Sequence, residues 1–143
     1  MSLMSIVFPG YVAKLLLSFF LGGLLGFERE LQRKPAGLRT HILVSLSSAL
    51  FTLLSPNFGS GSDPSRIAAG VLSGIGFIGT GVILAGKEKM DEITTAASIW
   101  ITTAIGMAVG LGECGMAVLV TFLTLFVLWF MKVLEKVFLH AEK

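Results

Sequence analysis

Cysteine is almost absent from this chain. Its single copy, Cys114, excludes an internal disulfide and any metal site built on several thiolates; it reads as a small packing residue. Charge is scarce too: 14% of the 143 residues are Asp, Glu, Lys or Arg, against roughly 25% in soluble domains. Residues 1–10 hold no Lys or Arg, and the apolar stretch beyond them reaches Phe27 without a small-residue cleavage site, so a signal peptide describes this end poorly. No HExxH, no Ser/His/Asp set and no pair of acids inside an apolar stretch occurs, nor any internal repeat. With no soluble domain to hold a substrate, an enzyme is not expected, and neither a cofactor nor a nucleic-acid partner is implied.

What fills the chain is hydrocarbon. Hydrophobic residues make up 54% of it and the mean hydropathy is +0.86. A water-soluble fold of this size cannot hide so much apolar surface. The expected class is all-α: a polytopic membrane protein, one domain over residues 1–143, in contact with the lipid bilayer. A helix needs about 20 apolar residues to cross the hydrocarbon core. Five stretches meet or approach this, at about 6–27, 40–54, 67–86, 93–111 and 116–133. The second is short and needs flanking residues. "RKPAG", "SPNFGSGSDPS", "GKEKMDE" and "GECG" supply the turns between them.

Nine of the 11 basic residues fall in the first loop, the third loop and the C-terminal tail. The positive-inside rule puts these in the cytoplasm. The N-terminus is then outside and the C-terminus inside, as five crossings require. Lys14 and Arg66 stand on the other side, where Lys14 can snorkel.

Six charges crowd into residues 28–39: Glu28, Arg29, Glu30, Arg33, Lys34 and Arg39. Orientation accounts for the bases but not for the two acids. Asp91 and Glu92 begin the fourth span at the same membrane face, where the helix dipole favours acids and Thr94 and Thr95 can join in capping. Arg29 or Arg39 can pair with a carboxylate from a neighbouring helix. Oxygens of Glu28, Asp91 and Glu92 can instead approach a hydrated magnesium ion. A solvated charge ring and a functional cluster stay open as alternatives.

Small and polar residues line up on helix faces. Span one offers Lys14, Ser18, Gly22, Gly26 and Glu30; span two His41, Ser45, Ser48, Thr52 and Ser55; span four Thr95, Ser98, Thr102, Gly106 and Gly110. Span three carries Gly70, Gly74, Gly76, Gly79 and Gly81. Helix packing is one reading of these stripes and a polar ion path is the other. A dry seam favours the first, a wet cavity with Glu28 at its mouth the second. Spans one to four are expected to form a tight cluster, with span five at its lipid-facing edge. Glycine faces beyond internal needs suggest a homo-oligomer. "GIGFIG" matches G-x-G-x-x-G inside an apolar span, the wrong context for a dinucleotide. "GVILAGKE" has Glu88 where a phosphate-binding loop needs Ser or Thr.

The blocks "GFERELQRKPAGLRTHILVSLSSALFTLLS", "RIAAGVLSGIGFIGTGVIL" and "TTAASIWITTAIGMAVGLG", in this order, resemble the membrane domain of the MgtC/SapB family over roughly residues 10–130. The resemblance implies five membrane helices, an outside N-terminus and the bacterial inner membrane. It implies adaptation to low magnesium and, in pathogens, survival inside macrophages. It also implies a regulator that contacts other membrane proteins, the F-type ATP synthase among them; a small magnesium or ion transporter is the alternative. By position, the family's functional rim corresponds to Glu28, Arg29, Glu30, Lys34, Pro35, Gly37, Arg39, Thr40 and His41. Two departures stand out. A soluble C-terminal domain is not expected here, since about ten residues follow span five. Members also commonly read Gly-Leu before Thr-Thr-Ala-Ala, where this chain has Glu92-Ile93, an added acid at the rim.

Overall fold

A computed structural model describes residues 3–58, 63–86 and 89–139. These residues form five α-helices: α1 (Leu3–Leu31), α2 (Leu38–Leu54, extended by a 3-10 turn over Ser55–Asn57), α3 (Pro64–Ala85), α4 (Lys89–Leu111) and α5 (Cys114–Leu139). Each holds a window of 20–22 residues apolar enough to cross a membrane, about 30 Å at 1.5 Å per residue. The chain is a multi-pass membrane protein. The 3-10 turn is how the short second span reaches full length: its window runs Leu38–Asn57.

Local chemistry sets the helix ends. Asp63 caps α3, its carboxylate accepting from the Ser65 amide at 2.9 Å, with Pro64 at the first helical position, where its missing N–H costs nothing. α1 and α4 end alike. The Lys34 amide donates to the Arg29 carbonyl and the Arg33 amide to the Glu30 carbonyl; Glu113 and Gly112 repeat this on Ala108 and Val109. Both are Schellman ends with a left-handed residue, Gly112 at φ 95° and Arg33 at φ 54°.

α2 is clasped between two glycine pairs. A Cβ on Gly22 of α1 would stand 2.7 Å from the His41 carbonyl oxygen and from Ser45 Cβ, and one on Gly26 would stand 2.7 Å from Leu38 Cα. From the other side, a Cβ on Gly106 of α4 would enter the Ser45 backbone, and one on Gly110 would stand 2.6 Å from Thr52 Cβ. Helix backbones approach this closely only where side chains are missing. Leu21, Leu25, Ile105, Val109 and Ala117 fill the core between α1, α4 and α5; Ala36, Val44, Ile75 and Ile99 fill a second core toward α3.

One expectation needs correction. Spans one to four do not form one tight cluster. Half of the α4 window is buried but only 6% of the α3 window, less even than the 11% of α5. α3 packs through Ile75 and Gly79, the latter 3.5 Å from Ala96 Cβ. Gly70, Gly74, Gly76 and Gly81 face open space, so they pack against no helix among the described residues. Glycine content alone does not say which glycines face a neighbour.

Candidate functional site

The crowded charges lie where α1 ends, α2 and α4 begin and α3 and α5 end. α2 starts at Gly37, which has no side chain to cap it. Glu30, one helix away, does so instead: its Oε2 accepts from the Leu38 amide at 3.0 Å. A Cβ on Gly37 would collide with that carboxylate. Glu30 thus closes the turn between α1 and α2 while placing negative charge at a helix N-terminus.

Arg29 is buried at the same end, 4% exposed, and pairs with its sequence neighbour Glu28 at 2.5 Å. The expected pairing across helices is therefore replaced by one along α1, and Arg39 is exposed on α2. Glu28 uses Oε2 for this contact; its Oε1 is buried with no hydrogen-bond partner among the described residues. Glu92 lies under Gly86, whose added Cβ would strike the carboxylate. It is 7% exposed, and its Oε2 also has no partner among the described residues. The added acid is thus buried at the α3–α4 junction. α4 starts at Lys89, so Thr94 and Thr95 lie inside the helix and do not cap it; Thr94 is exposed and Thr95 fully buried. The side chain of Asp91 lies outside the described residues. Among the described residues no group of three or more His, Cys, Asp or Glu side chains is placed to hold a metal ion.

His41 is fully buried. Its Nδ1 meets the Gly37 carbonyl at 3.0 Å and its Nε2 meets Ser98 Oγ at 3.1 Å. A carbonyl only accepts, so Nδ1 carries a proton. Ser98 Oγ also lies 2.7 Å from the Thr95 carbonyl. Its one proton serves either that carbonyl or Nε2, and the ring is doubly protonated in the first case and neutral in the second. His41 ties the start of α2 to α4, directly below the Glu28–Arg29 pair.

Below His41 the polar stripes close on one another. Ser45 Oγ donates to the Ser18 carbonyl at 2.9 Å, so Ser18 Oγ donates to Ser45 Oγ at 2.8 Å. Ser48, Thr102 and Thr103 bond back to their own helices at 2.6–3.0 Å. All five are at most 1% exposed. A polar group left unsatisfied in hydrocarbon is costly, and here each has its partner inside the protein. At the far end Lys14 Nζ donates to the Gly110 carbonyl at 3.1 Å. It caps the α4 C-terminus, where a cation suits the dipole, and does not simply snorkel. Sequence reasoning missed this bond and the Glu30 cap. Gly37 standing before α2 with no capping side chain was the available signal for the cap.

Comparison with known proteins follows the same residues. The MgtC family profile matches residues 15–137. YhiD of Escherichia coli strain K12, by name a candidate magnesium transporter, is 43% identical over 126 residues, 82% of this chain and 59% of its own length. Protein MgtC of Salmonella typhimurium strain 14028s is 41% identical over 120 residues, 84% of this chain and 51% of its own. Protein MgtC of Brucella abortus strain 2308 is 40% identical over 104 residues, 73% of this chain and 44% of its own. The chain thus spans about half the length of the curated relatives it matches. No solved structure matches it.

Proposed function

Since the chain belongs to the MgtC family, we propose that it is a bacterial inner-membrane regulator, working through contacts with other membrane proteins in adaptation to low magnesium or related stress. One observation carries this reading: the polar faces of α1, α2 and α4 spend their hydrogen bonds inside the protein, Ser18 with Ser45 and His41 with Ser98 across helices, and Ser48, Thr102 and Thr103 on their own helices. An ion path would need those groups facing water. Of the two cavities beside the helices, the one between α2 and α3 touches that seam only at Ser48, and the one at the ionic end is lined by none of the seam residues. The positive-inside rule supports a cytoplasmic ionic end, with the turn over residues 32–37 offered as contact surface. On this reading the protein is not an enzyme. A second copy of the chain and, through the family resemblance, the F-type ATP synthase are the partners to seek.

Ion transport is the second reading, supported by the buried oxygens of Glu28 and Glu92 that have no partner among the described residues and by the name of the Escherichia coli relative. Magnesium entry into liposomes, followed with a trapped magnesium-sensitive dye, separates the two. The regulator reading expects no flux above protein-free liposomes and a membrane partner that co-purifies after gentle solubilisation. Robust flux that disappears in Glu28→Gln overturns it.

A further inference from the structure

At Gly79, α3 meets α4: an added Cβ there would lie 3.5 Å from Ala96. Between that contact and its own start, α3 stands away from α2 and leaves a groove of about 470 Å³. Ile67, Gly70, Gly74 and Ile78 belong to its α3 wall, Ser47, Ser48 and Phe51 to its α2 wall. Phe51 and Ile78 are 47% and 42% exposed, so the groove opens sideways onto the bilayer. Both serine hydroxyls donate to the Val44 carbonyl, at 3.1 and 2.6 Å, so their protons are already spent. A Cβ added to Gly70 or Gly74 would meet no atom within 4 Å.

Length and charge say what fits. From Ile67 to Ile78 the groove runs about 17 Å at 1.5 Å per residue, close to half of the ~30 Å hydrocarbon core. That is the depth of one leaflet. A partner helix needs the full thickness; an acyl chain needs one leaflet. Arg66, in the first turn of α3, is the charged residue of the lining and stands where a headgroup lies. It is exposed and makes no ion pair among the described residues. Residues 59–62, just before α3, are Gly-Ser-Gly-Ser and hold no acid. The Asp63 carboxylate accepts from the Ser65 amide and hydroxyl. Glu113, the other acid at this end, is exposed in the α4–α5 turn. In sequence the remaining acids fall at the end of α1, around the start of α4, or at and beyond the end of α5, a helix length from Arg66.

We propose that this groove holds an acyl chain of a membrane phospholipid whose phosphate is bound by Arg66. The guanidinium donates to the phosphate oxygens, a pairing its planar fork suits, and the chain lies between α2 and α3 down to Ile78. The lipid belongs to the leaflet opposite the ionic end. The assignment needs only that the chain spans a bilayer; it does not depend on whether the protein regulates or transports.

The protein in detergent is offered equal amounts of phosphatidylethanolamine and of diacylglycerol with the same acyl chains, and native mass spectrometry weighs what stays bound. The phospholipid is expected to be preferred by roughly ten-fold. Arg66→Gln abolishes the preference and Arg66→Lys keeps most of it. Gly74→Leu fills the groove and removes the bound lipid. Gly76→Leu, on the same helix but outside the groove, leaves it in place; Gly76 too has nothing within 4 Å of an added Cβ, so both variants are expected to fold, and thermal unfolding checks this. Equal retention of the two lipids, or of neither, overturns the assignment. So does retention that survives Gly74→Leu, or that Gly76→Leu lowers as much. A doubled mass that returns to a single chain in Gly74→Leu also overturns it, by giving the groove to a second copy.

Discussion

Gly106 and Gly81 are the same residue type in two membrane helices, and they differ in what stands opposite. A side chain on Gly106 enters the Ser45 backbone; one on Gly81 meets nothing. Gly106→Ala is therefore expected to cost about 1–3 kcal/mol through overpacking. Gly81→Ala should instead gain about 0.5–1 kcal/mol, since glycine weakens a helix interior. Thermal unfolding in detergent distinguishes the two by sign. Glu30 makes a similar point about charge. Its carboxylate reads as one more acid in a crowded loop, yet it caps a helix it does not belong to. Glu30→Ala should cost about 1 kcal/mol, with faster amide exchange confined to the first turn of α2, and Glu30→Gln should restore most of the loss. The residues of this end were legible in sequence as a group. Their pairings were not, because the Gly37 turn brings residues 30 and 38 together and spacing along one helix cannot show that.

Among the elements, α3 departs furthest from its sequence pattern. Five glycines over residues 70–81 read as a packing helix, but the structure leaves it at the edge, packed through Ile75 and Gly79, with its start capped locally by Asp63. Both Ser65 hydrogen bonds, from the hydroxyl and then from the backbone amide, hold the Asp63 carboxyl below the usual carboxylate range. A pKa depressed by folding means the cap contributes above the unfolded value and is lost as pH falls through the folded one. Protection of the first-turn amides of α3 is thus expected to drop below the ordinary carboxylate range, and Asp63→Asn should remove that pH dependence. Hydrogen exchange, expressed as protection factors at each pH, is the measurement. α2 behaves differently. Its polar stripe was visible at spacings of three and four, and between the glycine pairs of α1 and α4 Ser45 finds its partner on α1 and His41 on α4, while Ser48 bonds back to Val44 of its own helix.

At the scale of the whole molecule, the crossing pattern places residues 32–37 and 55–58 at opposite ends of the bundle. With Cys114 replaced by Ala, Pro35→Cys should react with a membrane-impermeant maleimide only after permeabilisation, and Asn57→Cys should react in intact cells. The reverse pattern would invert the molecule. The amino-acid sequence by itself determined that the chain crosses a membrane on five helices and that its charges gather at one end, because transfer of charge into hydrocarbon is too costly to allow anything else. Only tertiary structure decided which small residues touch and which face lipid. Nothing in the bilayer distinguishes one glycine from another. The choice falls to the few contacts in which backbones meet and hydroxyls find acceptors, and these join residues far apart in the chain, such as Ser18 to Ser45 and His41 to Ser98.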